Sequence, residues 1–138
     1  MKKMLFHVEN SSVIHDAGLL AFRLYIGLSM AFAHGLGKIP PSGQFLGGVS
    51  AMGFPAPELF AWLAALSEFL GGLFIALGLA TRFSSLALGS TMVVAGFIAH
   101  AADPFGVKER AFLFLFSCVL LFCVGAGRFS VDRLISKK

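Results

Sequence analysis

The stretch Leu59–Ala80, LFAWLAALSEFLGGLFIALGLA, decides how this chain is read. A helix rises about 1.5 Å per residue and the hydrocarbon core of a bilayer is about 30 Å thick, so roughly 20 apolar residues are needed to cross it. Leu59–Ala80 meets that length with a single charged residue, Glu68, near its middle. Working outward, Pro55 and Pro57 precede the stretch, and only Thr81 and Arg82 separate it from the next apolar run. So short a connection forces the two runs into a tight antiparallel hairpin.

Three more runs reach spanning length, and all four are punctuated by proline or glycine at their ends. The expected fold is all-α, an antiparallel bundle of four transmembrane helices over 17–37, 59–80, 83–101 and 111–127, with residues 1–138 forming a single domain. Pro40-Pro41 follows the first span, Asp103-Pro104 the third, and Gly125 and Gly127 end the fourth. The first loop, Lys38 to Glu58, is too apolar to be fully solvated, which predicts a short interfacial helix around Gln44 to Met52. The opening residues to Asp16 are polar and read as a surface or interfacial lead-in.

Composition excludes the alternatives. A soluble domain is about 45–50% apolar and about 25% charged, whereas this 138-residue chain is 57% hydrophobic and 13% charged, so a water-soluble globule and a disordered chain are both ruled out. The net charge of +4 comes from Lys and Arg residues that form no basic stripe, so no nucleic-acid partner is expected. They sit instead at the ends of the apolar runs. Lys2, Lys3, Arg82, Arg128, Arg133, Lys137 and Lys138 fall on one side, against Lys38, Lys108 and Arg110 on the other, and the positive-inside rule then places both termini in the cytoplasm.

Ionisable groups at membrane depth each cost at least about 2.5–3.5 kcal/mol on insertion scales, so each needs a partner or a purpose. Glu68 and Arg23 admit two readings. They form a structural ion pair between the first two spans, or Glu68 is a proton-handling or ligand-binding carboxylate in a cavity. Small residues at helical spacing, including Gly71 and Gly72 near Glu68, Gly89 and Gly96 in the third span and Gly27 in the first, mark packing faces. Spans one and three run outward, so His34 and His100 share a depth, with Lys38 a turn above His34. A candidate outward pocket follows, lined by His34, His100 and Lys38 with Glu68 at its floor; the bland alternative is unrelated interfacial side chains. No His-x-x-x-His pair supports a metal, and none is expected. Cys118 and Cys123 stand about 140° apart on a helix and cannot pair locally.

These residues together resemble the DoxX family of small bacterial membrane proteins. The resemblance covers residues 19 to 134. It runs through Arg23 with Gly27, His34-Gly35, Lys38, Gly53-Phe54-Pro55-Ala56-Pro57, Glu68 with Gly71-Gly72 and Gly78, Thr81-Arg82, His100, and the closing Gly125-Ala126-Gly127-Arg128-Phe129-Ser130-Val131-Asp132. It implies a four-helix domain of the cytoplasmic (inner) membrane, and some relatives are subunits of membrane oxidoreductases such as thiosulfate:quinone oxidoreductase.

Three functions follow as expectations. The first is a redox-linked accessory subunit binding a quinone or other small lipophile in the bundle, with Glu68, His34, His100 and Lys38 as hydrogen-bonding or proton-handling groups. The sequence carries no flavin or dinucleotide motif and no iron–sulfur cysteines, so electrons would come from a membrane or soluble redox partner, and no covalent cofactor is expected. The second is a non-catalytic assembly subunit whose Gly-rich faces dock another membrane protein. The third is a small transporter, which would need a homo-oligomer to line a path.

Overall fold

The computed structural model describes residues 13–136. The polar lead-in before Val13 and the basic residues Lys2, Lys3, Lys137 and Lys138 lie outside the described residues. Among the described residues all regular structure is helical. Helix α1 runs over Val13–Lys38, α2 over Gly43–Ala51, α3 over Pro57–Leu77, α4 over Thr81–Ala99, α5 over Phe105–Val124 and α6 over Val131–Ser136. Three of them, α1, α3 and α4, are long and apolar enough to cross a membrane.

The boundaries follow from local chemistry. The Ser42 hydroxyl accepts from the Phe45 amide at 3.2 Å and starts α2 within the apolar loop. Gly78, at φ +68°, ends α3, with the Leu79 amide donating back to the Phe74 carbonyl at 2.8 Å. Ala80 is also left-handed, at φ +46°, a setting that costs a non-glycine residue about 1 kcal/mol. Asp132 offsets it by accepting from the Ala80 and Thr81 amides at 2.7 and 2.9 Å, which caps α4 from a remote part of the chain.

Helix α5 departs from the sequence expectation. It starts at Phe105 directly after Pro104, not at Ala111, and ends at Val124 rather than at residue 127. Proline is well placed ahead of a first turn, and Phe105 stacks on Phe112 two turns on, at 6.0 Å between centroids. Lys108, Glu109 and Arg110 therefore sit on helix and not in an outer loop. Those three charges keep α5 out of the set of uniformly apolar spans.

All four long helices feed one core: Met30 from α1, Ile75 from α3, Leu88 and Met92 from α4, Cys118 and Leu121 from α5. Outside it, Tyr25, Phe83, Phe97 and Phe116 are among many large apolar side chains left exposed, the surface that meets lipid. The α1–α3 crossing is the tightest. A Cβ on Gly72 would lie 2.7 Å from the Gly27 carbonyl oxygen and 2.9 Å from the Ala31 amide, so only glycine admits this approach. Two turns farther along, Gly35 rests on the backbone of Glu68 and Phe69.

Candidate functional site

That crossing sets which residues share a depth, and it corrects one expectation. Gly27 lies opposite Gly72 and Ala76, and Gly35 opposite Glu68, so Glu68 stands about 12 residues, roughly 18 Å, above Arg23. The expected Arg23–Glu68 ion pair does not form, because no side chain spans that distance. Glu68, whose side chain is 2% exposed, instead holds Lys38, whose Nζ lies 2.6 and 2.7 Å from its two carboxylate oxygens. Lys38 Nζ also stands 5.3 Å from the centre of the Phe45 ring, which lays α2 over the pair.

Arg23 is fully buried at the other end of the bundle. Its guanidinium donates to the carbonyls of Ala126 and Phe129, the latter at 2.7 Å. It packs against Gly78, where a side chain would collide with Nη1. Asp16 Oδ1 accepts from the Arg128 amide at 3.0 Å nearby. The Gly125–Asp132 motif is thus a strap, clasped to α1 by Arg23 and Asp16 and to the α3–α4 turn by Asp132.

Near the opposite end, His34, His100, Lys38 and Glu68 line one cavity of about 170 Å³. Met30, Met92, Ala95 and Phe114 give it apolar walls. Two helices change pitch here: α1 becomes a π-helix over Ser29–Gly35, and α4 does so over Ala95–Ala99. Such turns are frequent at functional sites because they re-aim side chains without breaking the helix. The first carries His34 and the second ends at His100. The His34 ring meets Phe114 edge-on at 5.5 Å. His100 Nδ1 lies 2.7 Å from Asp103 Oδ2, so the carboxylate holds the proton on Nδ1 and leaves Nε2 as the free ring nitrogen.

Arg110 also lines this cavity and was missed as a site residue, since its place after Asp103-Pro104 reads as loop; the proline as a helix start was the available signal. The packing glycines separate by partner. Gly27 and Gly72 join α1 to α3, a Cβ on Gly71 would lie 3.8 Å from the Ser84 carbonyl oxygen of α4, and Gly89 and Gly96 face Cys118 and Phe112 of α5. Cys118 is buried and Cys123 exposed, both free. Among the described residues no three His, Cys, Asp or Glu side chains gather to hold a metal ion.

Fold and cavity together define an all-helical membrane protein with a polar pocket toward one end of its bundle. The DoxX family profile matches residues 18–101, and the chain belongs to the DoxX family. It is 30% identical over 132 residues to the inner membrane protein YqjF of Escherichia coli (strain K12), covering 91% of this chain and 97% of YqjF. It is 28% identical over 126 residues to CatD of Bacillus subtilis (strain 168), covering 88% of this chain and 90% of CatD, whose name gives it provisionally as an oxidoreductase. No solved structure matches the chain.

Proposed function

We propose that this protein is a redox-linked accessory subunit of the bacterial inner membrane that takes the head group of a quinone or similar small lipophile into the Glu68 cavity. The observation that carries the reading is the convergence of Glu68, Lys38, His34 and His100 on one space with thioether and aromatic walls. A volume of 170 Å³ suits one ring, since a cavity of about 150 Å³ accepts benzene. Lys38, Arg110 and His34 offer donors to ring oxygens, His100 Nε2 offers an acceptor to a ring hydroxyl, and Met30, Met92 and Phe114 offer contact to ring faces. A bound quinone would supply two-electron, two-proton chemistry. The chain's own contribution is to bind and orient the ring and to hold protons at Glu68 and His100, with electrons coming from a partner protein. The provisional oxidoreductase name of CatD supports the same direction.

In this reading α5 is a fourth crossing, α2 lies in the outer interface, and both termini are cytoplasmic. A short-tailed benzoquinone titrated into detergent-purified protein tests the binding step. Saturable binding is expected, and Ala95→Leu, which puts bulk into the cavity, is expected to weaken it at least tenfold while leaving the helical content intact. Absence of saturable binding, or equal binding by Ala95→Leu, overturns the proposal. Protein partners that co-purify without any bound lipophile would favour an assembly role instead.

A further inference from the structure

The end of the bundle that carries the strap holds a second cavity, about 600 Å³, between the first turn of α4 and the Gly125–Ser136 segment. It is remote from Glu68 and has no part in the redox reading. It is a shallow hollow, wide open to the surface.

The charged residues lining it are Arg82, Arg133 and Asp132. The Asp132 carboxylate is committed to the Ala80 and Thr81 amides. The Arg82 guanidinium makes one long contact, to the Cys123 carbonyl at 3.4 Å, and among the described residues neither arginine has a carboxylate within ion-pair distance. Two arginines with most of their guanidinium donors unused therefore line the same space, and the Arg82 guanidinium lies beside Gly125 there. Beside them the wall turns apolar: Phe83 is 73% exposed and Val124 is also exposed, both on helices of the bundle.

Paired guanidinium donors match the oxygens of a phosphate, in geometry as well as in charge. A soluble phosphate compound would use the arginines and leave the apolar lip bare, whereas a phospholipid uses both. Basic pockets at the ends of membrane helices take lipid headgroups for this reason. We infer that this cavity seats the headgroup of an anionic phospholipid, with Arg82 and Arg133 donating to its phosphate and Phe83 and Val124 bordering its acyl chains.

Native mass spectrometry of the full chain, titrated with phosphatidylglycerol or phosphatidylcholine, tests this, alongside thermal shift with inorganic phosphate. Phosphatidylglycerol should be retained about tenfold better than phosphatidylcholine. Arg82→Gln/Arg133→Gln should weaken its retention by about thirtyfold, from about 1 kcal/mol per cation at a membrane surface and 1.4 kcal/mol per tenfold. Lys108→Gln, which removes a cation at the opposite end, should change nothing. Arg133→Gln alone, at an exposed position, should give an intermediate loss and keeps the test intact if the double variant misfolds. Equal retention of the two lipids, or undiminished phosphatidylglycerol retention in the arginine variants, overturns the inference. A shift with inorganic phosphate as large as that with phosphatidylglycerol overturns the lipid as the source.

Discussion

Lys38 keeps 34% of its side chain accessible and Glu68 only 2%, so losing one partner is not equivalent to losing the other. With Glu68→Gln the lysine can swing its ammonium to the interface on its flexible stem, and a small loss of stability, about 1 kcal/mol, is expected. Lys38→Gln strands a buried carboxylate and should cost about 3–5 kcal/mol. The double replacement Lys38→Met/Glu68→Leu should recover most of that loss. Thermal unfolding in one detergent compares all three, and equal losses for the two single variants would count against this account of the pair. Arg23 is a different case, because its two terminal nitrogens each donate to one carbonyl, Nη1 to Ala126 and Nη2 to Phe129. Lys brings one nitrogen on a flexible stem where Arg brings a rigid pair, so Arg23→Lys should cost about 1–3 kcal/mol and speed proteolytic clipping in the strap ahead of bulk unfolding. A strap that stays protected in the variant would show that Asp132 and Asp16 suffice to hold it.

Adjacent glycines in α3 make the packing argument testable at the scale of helices. A Cβ on Gly72 meets the backbone of α1 at 2.7 and 2.9 Å, where nothing flexible can yield, while one on Gly71 meets its nearest atom at 3.8 Å. Gly72→Ala should therefore part α1 from α3 and cost about 1–3 kcal/mol or more. Gly71→Ala should be neutral or gain up to about 1 kcal/mol from helix propensity. Chemical or thermal unfolding of the two variants reads the difference, and similar behaviour would mean that α1 and α3 do not cross at Gly27–Gly72. The same crossing explains what the sequence could and could not disclose. Hydropathy marked the long helices, and depth along α1 and α4 was enough to bring His34, His100 and Lys38 together, because each lies near the same end of its own helix. The partner of Glu68 was not legible. It depends on the offset between α1 and α3, which is set by backbone contact at Gly27 and Gly72 and leaves no trace in the spacing within either helix. The early start of α5 was hidden for another reason: Lys108-Glu109-Arg110 has the composition of a loop, and only Pro104 argues otherwise.

The whole molecule binds its own topology through the strap. Asp132 donates its amide to the Gly78 carbonyl at 2.9 Å and caps α4, so the segment after α5 lies at the same end as the α3–α4 turn. α1 starts at that end too, because Asp16 holds Arg128 there. If α3 and α4 cross the membrane, α5 must cross as well for its far end to reach Gly78. Its apolar part, Ala111–Val124, covers only about 21 Å at about 1.5 Å per residue, short of the roughly 30 Å core. The first turns of α5 would have to make up the difference, and there Lys108 donates to the Ala101 carbonyl at 3.1 Å while Arg110 lines the Glu68 cavity. Orientation is a separate matter. Apart from the buried Arg23, the strapped end carries Arg82, Arg128 and Arg133 against Lys38, Lys108 and Arg110 at the other, an even division, so the bias toward cytoplasmic termini rests on Lys2, Lys3, Lys137 and Lys138. Reporter fusions after Arg82 and after Ser136 are expected to report the cytoplasm, and a fusion at Ser42 the opposite side. Replacing the four terminal lysines with Gln should yield a mixed population of orientations. A reporter after Ser136 on the same side as Ser42 would mean that α5 does not cross, and the Asp132 clasp could not then exist in the membrane.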